Sequence, residues 1–457
     1  MRKEVTAVFD IGKTNKKFFL FDSNFQEVYR EYTKFDPIVD EDGHPTEDLD
    51  NLQQWLKDLF HEILEAKEYE IKAINFSSYG ASFVHLDENG EAITPIYNYT
   101  KPIPKWVIEK FFEKYGPVDD FCARTGSSNE GMLNSGIQLF WLKYAQPDVF
   151  KRIRYSLHLP QYLSFIFTGI PLSEYTSIGC HTSLWDYEKK DYHSWVYQEG
   201  LHTILPPIVS TETSINMNYN GKRIKIGVGI HDSSSALLPY VRSLKEPFIL
   251  VSTGTWSISL NPFATTPLSE EDIKSNCIFY MRINGKAVKA SRLFLGNEYQ
   301  LQVRKLDQLY HVSEDYHRQI LFDENLFHRL SKDLKPMFRW EYLENQTEMP
   351  YHTINFPTYE EAYHQLMIEL VLLQVKSITI ASGGMHFKNL YVDGGFTKND
   401  VYINLLTHYL RDMELRTTDA SLGSALGAAI CISDTELNSK FLKENYALKK
   451  HVPLIIK

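Results

Sequence analysis

Cysteine is scarce in this chain of 457 residues: Cys122, Cys180, Cys277 and Cys431 stand far apart, with no CxxC pair, which excludes a zinc ribbon and gives no sign of a disulfide framework. The sixteen histidines contain no HExxH and no paired spacing with cysteine. Spacing therefore predicts no dedicated transition-metal site and leaves only a cation held by carboxylates, such as Mg²⁺. Basic charge is also in deficit, with 48 Lys and Arg against 58 Asp and Glu and a formal net charge of −10. A surface that neutralises nucleic-acid phosphates or anionic lipid needs concentrated cations, so neither nucleic acid nor membrane is an expected partner, and any bound phosphate must be held locally. Asp10 interrupts the first apolar stretch too early for a signal peptide, and no later run is expected to span a bilayer, which makes the cytoplasm the expected location. A phosphate-binding P-loop is missing too. GKT occurs at 12–14, but Ala7 stands where GxxxxGK[ST] requires glycine, and the KKFFLF that follows reads as a strand.

What is present is an ordinary globular composition, 43% hydrophobic, in a chain too long for one compact core. VTAVFDIGKTNKKFFLFD reads as two strands about a polar turn with Gly12 at its apex. Residues 50–66 place Leu52, Leu56, Leu59, Phe60 and Ile63 at helical spacing, with Asp50 as the expected N-cap. IKAINFSSYG is a strand, and Asn89 and Gly90 mark a hairpin turn. Helices are expected at 132–145 and 158–168, then a single buried strand RIKIGVGIHD and a helix SSSALLPYV. The second half starts afresh with FILVSTGTWSISLNP, folded about Gly254 and Thr255. A hairpin about Asn284 and Gly285, a long helix near 358–380, the strand NLYVDGG, a helix capped by Thr397 and a last helix containing SALGAAI complete it. No Pro- or Ser-rich linker divides the halves, and pattern alone puts the boundary near Pro239–Pro247, giving domains 1–241 and 242–457.

Two strand–turn–strand units suit a cleft that grips a polyphosphate from both sides. Glycine admits close approach of backbone to an anion, and N–H and hydroxyl groups supply donors without many cations. In the first turn Asp10 can hold a hydrated Mg²⁺ while Thr14, Asn15 and Lys16 or Lys17 face phosphates. Gly254 and Thr255 of the second turn can meet the terminal phosphate. Asp232 follows a strand and precedes a helix, where α/β folds place ligands. It is either a base for an attacking hydroxyl or a helix cap, and the adjacent His231 either orients a substrate or is structural. The tight turn at Gly394 and Gly395 can lie against adenosine, whereas the small residues of SALGAAI read first as a means of close helix packing.

Taken in order, DIGKTN at 10–15, GIHD at 229–232, STGTW at 252–256, VDGGFTKN at 392–399 and ALGAA at 425–429 resemble the FGGY family of carbohydrate kinases across almost the whole chain. The resemblance implies an α/β fold of two actin-like, ribonuclease-H-type domains closing on a small sugar and Mg-ATP. SSYGASFVHLDENG and HLPQYLSFIFTGIPLSEYTSIG are most similar to the rhamnulokinase and fuculokinase branch, which implies phosphorylation of O1 of a 2-ketose such as L-rhamnulose or L-fuculose. Xylulose, ribulose, gluconate and glycerol are the alternative acceptors. By motif, Gly80, His231 and Asp232 would contact sugar, with Asp232 as proton acceptor. Gly12, Lys13, Thr14, Asn15, Lys16, Lys17, Gly254 and Thr255 would line the phosphate site. Gly394, Gly395 and Asn399 would lie near adenosine, and Asp10 would serve the metal. Three segments depart from the family pattern. Lys13 replaces a small or hydroxyl residue, YNYTK at 97–101 replaces an aromatic, acidic and arginine set, and DASLGSALGAA offers Ser421 and Ser424 in place of a glutamate. An ATPase of the actin or chaperone kind and a weakly active sugar-responsive regulator are the rival readings, and a homodimer is the default assembly.

Overall fold

The computed structural model describes residues 2–332, 334–343, 355–419 and 422–453. The first segment folds as its pattern predicts. Strand β1 (Lys3–Ile11) turns back antiparallel into β2 (Lys16–Phe21), which pairs in turn with β3 (Glu27–Thr33). The last residues of β1 and nearly all of β2 are buried, including Phe9, Phe18 and Phe19, because both sheet faces are covered. Helix α1 (Leu49–Glu65) covers one face, burying Leu52, Leu56, Leu59, Phe60, Ile63 and Leu64. Its N-cap is Asp48, whose carboxylate accepts from the Asn51 N–H; Asp50, the residue expected there, lies inside the first turn. There its negative charge still favours the helix dipole.

Strand β4 (Tyr69–Ser78) runs parallel to β1 on the side away from β2. Asn89–Gly90 does form a turn, with the Gly90 N–H donating to Asp87 O, but the strand before it, Phe83–Leu86, takes its ladder partner from Tyr155–His158. The helix expected from 132 begins at Ser135, after a 3₁₀ turn at Gly131–Leu133, while α2 (Leu159–Thr168) falls where expected. A hairpin of β5 (Ser214–Tyr219) and β6 (Lys222–Gly227) completes the sheet, with β6 parallel to β4. RIKIGVGIH is split rather than continuous. Gly229 breaks the strand at φ +88°, and a Cβ there would also meet Pro160 O at 2.4 Å, so the position takes glycine; the two-residue β7 (Ile230–His231) then rejoins β4. Helix α3 (Asp232–Ser243) follows at once.

The second sheet repeats the first. Strand β8 (Phe248–Thr253) is antiparallel to β9 (Ser257–Asn261). The hairpin of β10 (Cys277–Met281) and β11 (Ala287–Leu293) joins through β11 pairing with β9. After α4 (Leu295–Tyr310) and α5 (Tyr359–Ser382), β12 (Asn389–Gly394) lies parallel to β8. Helix α6 (Asp400–Tyr409) leads to β13 (Glu414–Thr417), parallel to β12. The order β11-β9-β8-β12-β13 thus matches β3-β2-β1-β4-β6 in sequence and direction, which is the duplicated ribonuclease-H-type arrangement of two actin-like domains. Helix α5 is long and apolar enough to cross a membrane, contrary to the expectation that no run would be, but most of it is buried in the core of the second half. Helix α6 is capped by Asn399 and not Thr397, because the Thr397 hydroxyl is spent on Gly394 O within a 3₁₀ turn. Helix α7 (Gly423–Cys431) is not the last, since Phe441–Asn445 forms a further short helix before the edge strand Lys449–Lys450.

Helices α3 and α7 pack against each other between the sheets, and α7 also touches β1 and β4. The small residues of α7 serve this contact, as expected. A Cβ on Gly427 would lie 1.8 Å from Ser235 O, and the Ser235 hydroxyl donates to Ser424 O at 2.6 Å.

Candidate functional site

The carboxyl ends of β1, β7, β8 and β12 converge beside α3 and α7. Asp10, second from the end of β1, is 5% exposed; its Oδ2 accepts from the Ser424 hydroxyl at 2.9 Å and pairs with Lys17 Nζ at 3.6 Å. Burial raises its pKa against the opposing pull of Lys17 and Ser424, and the charge of Asp232 raises it further. These two carboxylates therefore share one electrostatic environment.

Asp232 is the first residue of α3, with His231 in the cap position, so it does not cap the helix in the ordinary sense. Its Oδ1 accepts from the Ser233 N–H at 2.6 Å, and its side chain is 36% exposed. The carboxylate opens onto a cavity of about 500 Å³. Ser233 and Ala236 of α3 line one side; Gly394, Gly395, Thr397 and Lys398 line another, with Asp419, Gly423 and Ser424 at its margin. Helix α3 thus contributes the first half's carboxylate to a cavity walled largely by the second half.

His231 is buried. Its N–H donates to the Thr176 hydroxyl, its Nε2 lies 3.4 Å from Asp232 Oδ1, and its Nδ1 has no hydrogen-bond partner. Gly80 makes room for the ring, since a Cβ at Gly80 would come within 2.9 Å of Nε2.

The first turn divides its lysines between two faces, as strand alternation requires. Lys17 points to Asp10. Lys16 is 1% exposed, donates to Gly12 O and Lys13 O, and pairs with Glu47 at 2.7 Å, so its ammonium is enclosed within the turn and not presented to the 500 Å³ cavity. Lys13 also pairs with Glu47, at 3.6 Å, and lies over the rings of Tyr79 and Tyr99; burial lowers its pKa, and Glu47 partly restores it. Lys13 and Thr14 line a separate cavity of about 310 Å³ together with Lys34, Asp36 and Asn98. The Gly12 N–H donates to Asn15 O across the turn.

The second turn is exposed at Gly254, Thr255 and Trp256 and is pinned from behind: Asn297 N–H donates to Thr255 O, and a Cβ on Gly296 would fall 1.9 Å from Gly254 O. Gly394, at φ +85°, lies so close to β8 that a Cβ would reach 1.8 Å from Thr253 O. Asn399 is committed to structure, accepting from the Tyr402 N–H and donating to the Tyr363 hydroxyl at 2.8 Å.

Several residues escaped sequence reasoning. Asp393, buried at the end of β12, has its pKa raised to about 6 by burial, opposed by donors that include the Tyr240 hydroxyl. Its signal was the VDGG motif, read only for its glycines. Ser424 was noticed but not as the partner of Asp10, and Ser421 lies outside the described residues. Arg292 of β11 crosses to the first half, donating to Glu130 at 2.8 Å and Ser128 at 3.2 Å. YNYTK proves mainly architectural: the Tyr97 hydroxyl donates to Glu41, Asn98 to Pro45 O, and buried Lys101 to Asp40 and Asp42. Tyr99 alone of that segment feels the charge of Asp232.

Residues 5–237 match the family model described as "FGGY family of carbohydrate kinases, N-terminal domain". A rhamnulokinase of Halalkalibacterium halodurans is 25% identical over 260 residues, 54% of either chain, and one of Oceanobacillus iheyensis is 26% identical over 232 residues, 46% of this chain and 47% of that relative. The chain spans about half the length of the rhamnulokinases it matches. The structure of a carbohydrate kinase from Novosphingobium aromaticivorans superposes with a TM-score of 0.80 at 23% identity, covering 100% of this chain and 95% of the other.

Proposed function

Because the chain belongs to the FGGY family of carbohydrate kinases, we propose that it transfers the γ-phosphoryl group of ATP to a hydroxyl of a small sugar, with Asp232 as the base. The observation that carries this reading is the half-exposed Asp232 carboxylate, which opens onto a cavity shared with Gly394, Gly395 and Lys398 while facing the field of buried Asp10. Residues 1–241 hold the acceptor and residues 242–457 the adenosine. Gly394 and Gly395 suit the nucleotide because they carry no side chain into the cavity, and the exposed turn at Gly254 and Thr255 offers its backbone to the terminal phosphate.

The oxygens of Asp10 are the hard donors that Mg²⁺ prefers, and the nearby charge of Asp232, which makes Asp10 harder to ionise, would be offset by a cation held there. Asp10 would hold the ion, which would supply positive charge to the transferring phosphoryl oxygens. Lys17 supplements it from beside Asp10. Asp232 accepts the proton of the attacking hydroxyl as the new O–P bond forms and the bond to the β-phosphate bridging oxygen breaks, releasing ADP. His231, held against Gly80, orients the acceptor. O1 of a 2-ketose such as L-rhamnulose is the favoured acceptor, in keeping with the rhamnulokinase relatives, and the protein works as a soluble cytoplasmic enzyme.

ADP formation measured over L-rhamnulose, L-fuculose, xylulose, ribulose, gluconate and glycerol tests the assignment. One of these should stimulate turnover, and Asp232→Asn should lower kcat by roughly 10³-fold, within the range for a lost general base, with ATP affinity kept. ATP hydrolysis indifferent to every sugar, or near-normal turnover by Asp232→Asn, would overturn it.

A further inference from the structure

Distant segments bring together a thiol and two imidazoles beside the acceptor position. The ligating atoms of Cys180, His181 and His231 all lie within 4.8 Å of one another, the one such group among the described residues. Two come from the loop after the short helix Tyr175–Ile178, and the third from β7. The geometry points to a binding site for a thiophilic divalent cation of the Zn²⁺ class, built from Cys180, His181 and His231 and overlapping the acceptor pocket.

An N₂S donor set selects zinc-like ions over Mg²⁺, and three protein ligands leave one tetrahedral position for water or an oxygen ligand. Cys180 and His231 are buried, whereas His181 is partly exposed and gives the site its access. The orphaned, buried Nδ1 of His231 is capacity for which the protein itself supplies no partner. His181 is held at φ +54°, the left-handed backbone region, with its ring against Tyr280. Burial keeps His181 neutral, its ligating form, and keeps Cys180 a thiol whose proton leaves when the metal–sulfur bond forms. Of the charged groups facing the cluster, Asp232 and Glu174 favour a cation; Arg292 opposes one but is itself paired with Glu130.

Metal binding stands independently of the kinase reading; competition with the acceptor rests on it, through His231. The test is titration of chelator-treated full-length protein with Co²⁺. The expected result is one saturable equivalent with a thiolate-to-cobalt charge-transfer band, displaced by Zn²⁺. Cys180→Ser should abolish the band. His181→Asn, which tolerates the left-handed backbone, should weaken binding by more than roughly 100-fold, since even the loss of a supporting residue costs about 10–100-fold. Absence of the band in the wild type, its survival in folded Cys180→Ser, or Co²⁺ affinity unchanged in His181→Asn would overturn the site. Should Cys180→Ser fail to fold, His181→Asn decides alone. In the ADP assay Zn²⁺ should raise the acceptor KM of the wild type and not of His181→Asn; an unchanged KM would overturn the overlap. A cobalt band in a protein inactive on every sugar would leave the site standing and remove only the kinase reading.

Discussion

The two turns occupy equivalent places in the duplicated sheets yet are built from opposite materials. The first, Gly12–Asn15, is flanked by Lys13, Lys16 and Lys17, and all three are already paired inside the first half, two with Glu47 and one with Asp10. The second, Gly254–Trp256, carries no charged side chain and is shaped by backbone contacts from Gly296 and Asn297. An acidic protein can thus assemble two equivalent turns by different routes: internal neutralisation in one, bare backbone in the other. The division extends to the strands behind them, where Asp10 is offset by a lysine and a serine, while Asp393 is met by neutral donors and pays more fully for burial.

Substitutions can break this contrast, and the largest effect belongs to the backbone-built side. Gly394→Ala combines a positive φ with a Cβ 1.8 Å from Thr253 O, and should cost more than about 3 kcal/mol in denaturant unfolding. Gly12→Ala, whose Cβ would sit 3.0 Å from Asn15 O, should cost under about 1 kcal/mol. Equal losses would erase the distinction. On the charged side, Lys16→Met should cost about 2–3 kcal/mol, at the lower end for a broken buried pair because Lys13 still faces Glu47.

Asp393→Asn sharpens the comparison through pH. The acid form of Asp393 is favoured on folding, so its contribution is fully present below about pH 4 and is lost as pH rises through about 6. The variant should therefore gain on the wild type between pH 4 and 6, by at most about 3 kcal/mol at pH 8, seen as a Tm difference that closes on acidification. A gap independent of pH would mean that the aspartate is ionised at little cost. The smallest effect is expected for Lys13→Met, under about 1 kcal/mol in the same unfolding measurement, because Lys13 is one-third exposed and Glu47 keeps Lys16.

What the sequence disclosed followed the range of the interactions involved. Apolar alternation and glycine turns marked β1–β2 and β8–β9, and 3.6-residue spacing marked α1, because those signals lie within a few residues. Caps slipped by two positions where neighbours compete for the role, as Asp48 does with Asp50 and Asn399 with Thr397. Asp10 and Asp232 were visible as polar residues at strand ends. Their surroundings were not, since Glu47 meets Lys16 from a loop, Ser424 reaches Asp10 across 414 residues, and Arg292 finds Glu130 across 162. The cluster of Cys180, His181 and His231 was hidden for a related reason: Cys180 and His181 are adjacent in the chain, a spacing that no metal-site rule marks, and His231 joins them only in the fold.

Where Gly427 meets Ser235, two helices approach so closely that main chain faces main chain, with only the small Ser235 hydroxyl beside the contact. A contact of that kind sets the separation of α3 and α7 by main chain alone, so the spacing of the two helices depends on position 427 staying without a side chain. Any bulk at Gly427 would act as a wedge between α3, which begins with Asp232, and α7, which carries Ser424 at the margin of the same cavity.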